Sequence, residues 1–258
     1  MRDDELTGIR GARPANNLLR VLRPVDYALI EPHLRPWSGA ADRLIYNPGD
    51  NVETVYFPCG PSLMSLLVTN EDGYDVEVVL VGREGAVGGI VSQGNLPAFT
   101  KIVIQSAGPF VRLRVVDLEA AKMTSVSLRG LFARYADCLV AQMAQSTACN
   151  ALHSIEQRTA KWIIAAMERT GGDVVVLKQE QLAQMLGVGR SYTSRVINKL
   201  REEGILSTRR GALRVCRHDA LRARSCLCNE SVKSHFAAVL QGVYPGDEVS
   251  LEASSLRS

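Results

Sequence analysis

Apolar side chains recur along this chain with two different periods, and the switch between them divides it. Residues 43–46, 55–57, 63–68, 76–81, 101–105 and 110–116 are short apolar runs. Turn-forming stretches rich in Gly, Pro, Asn and Asp separate them at 47–50, 59–61, 70–73 and 82–89. Strands at this spacing without intervening helices predict an antiparallel barrel or jelly roll. On either side the period lengthens to that of a helix. Leu18, Leu19 and Leu22, then Val25, Leu29 and Ile30, predict two short helices broken at Pro24. Residues 117–123 begin a second helical region, and Thr124 or Ser125 can cap a longer helix from Val126 to Leu152. That helix would be about 40 Å long at 1.5 Å per residue, more than one small barrel needs.

The long helix carries two apolar stripes. One runs through Leu128, Leu131, Tyr135, Cys138, Gln142, Gln145 and Cys149, and a neighbouring one through Phe132, Leu139 and Met143. Two stripes call for two partners: the chain's own barrel and the same helix of a second copy, with Leu128 to Cys149 expected as the dimer seam. Ser154 can cap a further helix whose Trp162, Ile163, Ala166 and Met167 face inward and which ends at Gly171-Gly172. A short strand over 174–177 leads on.

Residues 178–200 then read as two helices around a tight turn. Leu182, Met185 and Leu186 make one buried face; Gly187 supplies the turn; Thr193, Val196, Ile197 and Leu200 make the second buried face. Arg190, Ser191, Ser194, Arg195, Asn198 and Lys199 are left pointing outward. Arg can pair bidentately with guanine, Asn with adenine, and Ser with base edges or phosphate, so this stripe has the chemistry of major-groove reading. A solvated face is the plain alternative for any such stripe. Residues 205–207 and 213–215 flank Thr208-Arg209-Arg210-Gly211-Ala212, which predicts a hairpin wing with Arg209 and Arg210 at its tip.

Charge sharpens the picture. The 40 residues from Lys178 to Arg217 hold nine Lys/Arg against three Glu, whereas the whole 258-residue chain is only +3. Positive charge is concentrated where phosphate contacts would help. A composition of 46% hydrophobic and 22% charged residues suits two globular domains. No apolar run approaches the roughly 18 residues of a membrane span and the N-terminus has no signal-peptide core, so a cytoplasmic protein without a membrane partner is expected.

The six cysteines are sparse. Cys59, Cys138, Cys149 and Cys216 stand alone, and Cys226-Leu227-Cys228 lacks the two-residue gap of common metal motifs, so no metal and no cofactor are expected. His33, His153, His218 and His235 form no pattern. Residues 82–89, GREGAVGG, lack the Gly-Lys-Ser/Thr of a phosphate loop, and no Ser/His/Asp set stands out, so the chain is not expected to be an enzyme.

In its order of barrel, long helix, short helix, strand, helix-turn-helix and wing, the chain resembles the Crp/Fnr family of bacterial transcription regulators. The resemblance covers about residues 43–217 and is most specific in QEQLAQMLGVGRSYTSRVINKL and GILSTRRGALRV, with looser support from NPGDNVETVYFPCG and GREGAVG. It implies a homodimer that binds a near-palindromic operator, with RNA polymerase as a further partner, and that answers an effector at the barrel. The family's recognition helix reads bases through Arg-Glu-x-x-x-Arg; Arg190 and Arg195 occupy the Arg places and Ser191 the Glu place. Its effector pocket would fall on Gly82, Arg83, Glu84, Gly85 and Thr100. Cyclic-nucleotide-binding members carry Glu where Arg83 stands and Arg where Phe99 stands, so cyclic AMP is not the expected effector. The oxygen sensors of the family use N-terminal cysteines, and none precedes Cys59.

The expected class is α+β: an antiparallel β-roll or jelly-roll barrel, a long dimerisation helix and a C-terminal winged helix-turn-helix. The divisions are a flexible tail over 1–15, helices and roll over 16–116, the dimerisation region over 117–152, the winged domain with a C-terminal helix over 153–242, and a disordered tail over 243–258. The rival function is an effector-gated protein-interaction module whose basic domain does not read DNA.

Overall fold

The protein is described here by a computed structural model that covers residues 12–91 and 96–245. The tails expected over 1–15 and 243–258 lie outside the described residues at 1–11 and 246–258. Helices α1 (Asn17–Arg20) and α2 (Pro24–Ile30) lead into seven strands: β1 (Arg35–Gly39), β2 (Leu44–Tyr46), β3 (Thr54–Pro58), β4 (Leu63–Thr69), β5 (Asp75–Val81), β6 (Lys101–Ser106) and β7 (Gly108–Arg114). They pair antiparallel in two sheets, ordered β1-β7-β3 and β2-β6-β4-β5. Alternate side chains from both sheets meet in one core of Met64, Val79, Val81, Ile102, Ile104 and Phe110.

Six strands fall where the apolar runs predict them. The seventh, β1, is an addition. It contains Pro36, which a central strand would exclude, but among the described residues it pairs only with β7, at the edge of its sheet. Trp37 anchors it, with ring centroids 5.1 Å from Tyr56 and 5.4 Å from Phe110. The run expected as strand to 116 stops at Arg114, because Val115 and Val116 open the helix α3 (Val115–Thr124).

Helix α4 (Val126–Leu152) has the predicted bounds. The Ser125 side chain accepts the Leu128 N–H at 3.2 Å and donates to Asp26 of α2, which also accepts from Ser127 and pairs with Arg23 at 2.8 Å. The helix start is thus tied to the N-terminal helices. The expected dimer seam needs correction. Leu128, Leu131, Tyr135, Cys138, Gln142 and Cys149 are buried within the chain itself, and Gln145 is half-buried there. Gln142 Nε2 donates to the Leu80 carbonyl of β5 at 3.0 Å. A face already covered by its own protomer has no surface left to give to a second copy.

Beyond α4 come α5 (Ile155–Thr170), β8 (Val174–Val176), α6 (Gln179–Met185), α7 (Arg190–Glu202), β9 (Leu206–Arg209), β10 (Ala212–Val215) and α8 (His218–Arg224). A reciprocal capping box between Ser154 and Gln157 starts α5, and Gly171 ends it in the left-handed region at φ 74°. The sheet β8-β10-β9 closes the winged domain over Trp162, Ile163, Leu182, Ile197, Leu200 and Leu213, and Leu63, Leu67 and Leu80 of the roll join this core.

The C-terminal helix does not stay with the winged domain. After α8 the chain returns as α9 (Cys228–Val239) and packs along α4. Val232, Phe236, Leu240, Val243 and Tyr244 share a core with Leu18, Leu19, Leu128 and Phe132. Val243 and Tyr244, expected in a disordered tail, are fully buried, and the Tyr244 hydroxyl donates to Asn229 at 3.0 Å. At the other end Arg13, expected in a flexible tail, donates to the Arg20 carbonyl at 2.6 Å and covers the Tyr27 ring.

Candidate nucleic-acid interface

The helix-turn-helix is built by local rules. The Lys178 N–H donates to Gln181 Oε1 at 2.9 Å, half of a capping box, and Leu182 and Met185 turn the inner face of α6 into the core. Gly187, at φ 65°, makes the turn, with its N–H on the Gln184 carbonyl at 2.8 Å. Gly189 caps α7 through its carbonyl, which accepts from Tyr192 N at 3.0 Å and Thr193 N at 3.3 Å. Thr193, Val196, Ile197 and Leu200 are buried, as their spacing predicts.

Arg190, Ser191, Arg195, Asn198 and Lys199 are exposed on the opposite face of α7. Two of the expected outward residues have partners inside the chain. Ser194 is half-buried and donates to Gln179 Oε1 at 2.9 Å, holding the two helices together. Lys199 pairs with Glu156 of α5 at 2.8 Å, and Arg224 takes the other oxygen at 2.7 Å. Tyr192 is the residue the sequence reading passed over. It is exposed, and the Arg195 guanidinium lies 5.1 Å from its ring centroid. The signal was their i, i+3 spacing, which places two helical side chains side by side.

In the wing, Arg209 pairs in register with Ala212, and Gly211 turns the hairpin at φ 73°. Arg209 and Arg210 are exposed at the tip. Arg190 and Arg209 line one cleft with Lys178, Gln179 and Thr208. Three cationic residues, Lys178 at the N-cap of α6, Arg190 of α7 and Arg209 of the wing, thus line the same cleft.

The residues expected at an effector pocket are differently employed. Glu84 is buried and takes Arg169 Nε of α5 at 2.7 Å; its Oε1 also accepts the Gly82 N–H at 3.0 Å. Burial works against charge on Arg169, but the facing Glu84, together with Tyr244 and Glu168, outweighs it, so the guanidinium stays charged. Arg169 also donates to the Ala165 carbonyl at 3.1 Å and sits 5.0 Å from the Tyr244 ring centroid. One turn further, the Tyr135 hydroxyl of α4 accepts the Ala86 N–H at 2.9 Å and donates to the Ala86 carbonyl at 3.0 Å. A Cβ on Gly85 would stand 2.1 Å from that hydroxyl, so glycine is required for the approach. Glu84 is therefore a structural partner of the winged domain rather than a free ligand group, and Thr100 is half-exposed just before β6. Glu77 of β5 makes a parallel link, accepting Trp162 Nε1 at 2.7 Å.

Of the lone thiols, Cys59 and Cys138 are pushed by burial up to about 11, which leaves both protonated and unreactive near neutral pH. Cys149 is not alone. The fold brings it to 3.7 Å from Cys226 Sγ, while Cys228 Sγ lies 3.5 Å from His153 Nδ1. All four potential ligand atoms lie within 4.8 Å of one another. The expectation of no metal rested on the spacing of the cysteines and histidines along the chain, in which Cys149 and His153 are far from Cys226 and Cys228; the fold brings the last turn and C-cap of α4 to them.

Residues 157–224 match the family described as the Crp-like helix-turn-helix domain. No curated protein sequence matches the chain. Similar folds among solved structures include FixK2 from Bradyrhizobium japonicum, with a TM-score of 0.63 at 16% identity over 75% of this chain and 98% of that one. The c-di-GMP responsive global regulator CLP of Xanthomonas campestris gives 0.60 at 15% identity, over 75% and 99%. A CRP-family transcriptional regulator from Thermus thermophilus gives 0.62 at 16% identity, over 73% and 96%. Among the described residues no helix is long and apolar enough to cross a membrane.

Proposed function

From a chain that carries a Crp-like helix-turn-helix domain on the Crp/Fnr fold, we propose a transcription regulator that binds DNA sequence-specifically as a homodimer. The carrying observation is the convergence of Arg190 with the wing's Arg209 on one cleft, beside an exposed row of Ser191, Arg195 and Asn198. Arg190, Arg195 and Asn198 are the base readers, with Tyr192 steering Arg195. Arg209 and Arg210 hold phosphate.

The dimer seam belongs on the uncovered face of α4. Ala133, Asp137, Val140, Ala144 and Thr147 follow one another at alternating spacings of four and three, and all are exposed in the single chain, as is Met143 beside them. This is the pattern of a helix that packs on a copy of itself. Two α7 helices presented by such a dimer suit a near-palindromic operator, with RNA polymerase as the partner that reads the outcome. The roll is the place for an effector other than cyclic AMP, since Glu84 is committed to Arg169 and an exposed Phe99 stands where the phosphate-pairing Arg would be.

Footprinting on DNA selected from a random pool tests this. The expected footprint covers two half-sites about 10 base pairs apart, or a multiple of that. Affinity for the selected DNA no greater than for random DNA of equal length would reject base reading and favour a protein-interaction module.

A further inference from the structure

Cys149 stands in the last turn of α4, and His153, four residues on, is the C-cap of that helix with its N–H on the Cys149 carbonyl at 3.1 Å. Cys226 lies in the connection between α8 and α9 and Cys228 is the first residue of α9; between them Leu227 points to solvent at 76% exposure while both thiols turn inward. The three thiols are buried in a cluster of their own, apart from the three apolar cores. His153 closes it from the half-buried side. Apolar packing does not call for three sulfurs and an imidazole nitrogen at one point; a soft donor set does.

The distances fit a single ion. Tetrahedral zinc, with bonds of about 2.3 Å to sulfur and 2.0–2.1 Å to nitrogen, has edges of about 3.7 Å between sulfurs and about 3.5 Å between sulfur and nitrogen. Cys149 and Cys226 stand at 3.7 Å, Cys228 and His153 at 3.5 Å. An iron-sulfur cluster would spread its protein ligands over two or more irons and so hold some of them farther apart than the 4.8 Å within which all four lie here. Around the donors, Gln145 Nε2 donates to Cys228 Sγ at 3.1 Å, the outer hydrogen bond that orients a ligand.

We propose that Cys149, His153, Cys226 and Cys228 bind one zinc-class divalent ion in tetrahedral Cys3His coordination. The ion sits at the hinge. His153 precedes the cap of α5, where the chain enters the winged domain, and Cys226 follows α8, where it leaves. One ion therefore clamps entry and exit together and fixes how the DNA-binding domain hangs on α4. The site stands whether or not α7 reads bases.

The test is metal analysis and cobalt titration of the full chain. Purified protein is expected to retain about one zinc per chain. After chelation under reducing conditions, Co2+ should restore the intense visible bands and near-ultraviolet thiolate charge-transfer band of tetrahedral coordination and raise the melting temperature. Cys228→Ser and His153→Ala should weaken cobalt binding by roughly 100-fold or more, and Gln145→Ala by about 10-fold, as for an outer-shell partner. Cys216→Ser, at an exposed thiol, should change nothing. Reduced wild-type protein that gives no tetrahedral cobalt spectrum would overturn the site. So would iron with matching sulfide, or a Cys149–Cys226 disulfide in protein that takes up no metal.

Discussion

Arginines serve α7 and the roll's 82–86 loop in opposite ways. Arg190 and Arg195 are exposed on α7, where the face of Tyr192 lies beside Arg195. A phosphate or base edge can replace water there at little cost. Arg169 is 1% exposed, faces a Glu84 that is 3% exposed, and has hydrogen bonds on two sides. Such a pair is dry, and neither charge can leave without stranding the other. The residue type is the same; burial decides whether it meets an outside anion or locks two domains together.

The contrast predicts different failures. Arg169→Ala should cost about 3–5 kcal/mol of stability in urea titration by stranding Glu84. Arg169→Met combined with Glu84→Leu should recover more than half of that; a single-mutant loss below about 1 kcal/mol would break the comparison. Arg195→Ala should do the reverse. Specific DNA affinity should fall by about 1–3 kcal/mol, with stability unchanged within about 0.5 kcal/mol.

Asp26 is an intermediate case, and pH tests it. Arg23, with help from Ser125 and Ser127, holds its carboxyl well below the usual 3.8. Because the folded-state value is depressed, the stabilisation is complete above 3.8 and is lost as pH falls through the lower folded value. Acid titration of Asp26→Asn should lack this loss, and at neutral pH the variant should be about 1–3 kcal/mol less stable. An unchanged acid profile would remove Asp26 from the tie between α2 and α4. The smallest effect belongs to Arg209→Gln: a uniform weakening on all DNA sequences, with the salt slope reduced by about 1. A sequence-selective loss there would move the wing from phosphate holding to base reading.

Most elements were legible from residues alone. Ser125, Ser154 and Gly171 mark helix ends, Gly187 marks the turn, and the apolar periods mark six of the strands in the roll and the inner faces of α6 and α7. These signals act over a few residues, which is the range of capping, turn geometry and amphipathic period. Edge strand β1 escaped because Pro36 argues against a strand wherever its neighbours are unknown.

Which surface covers which was beyond the same signals. The stripe from Leu128 to Cys149 has the period of any buried helical face, and the period does not say whether a roll, α9 or a second copy buries it. Glu84 and Arg169 lie 85 residues apart, and Cys149 and Cys226 lie 77 apart. Each looks ordinary until packing removes water and sets the other beside it. Local chemistry thus determined the helices, most strands and the outward face of α7, whereas the tertiary structure alone decided the inward face of α4, the return of the C-terminal helix, the Glu84–Arg169 lock and the Cys3His cluster. Desolvation and long-range contact are properties of the assembled chain, not of any short stretch of it.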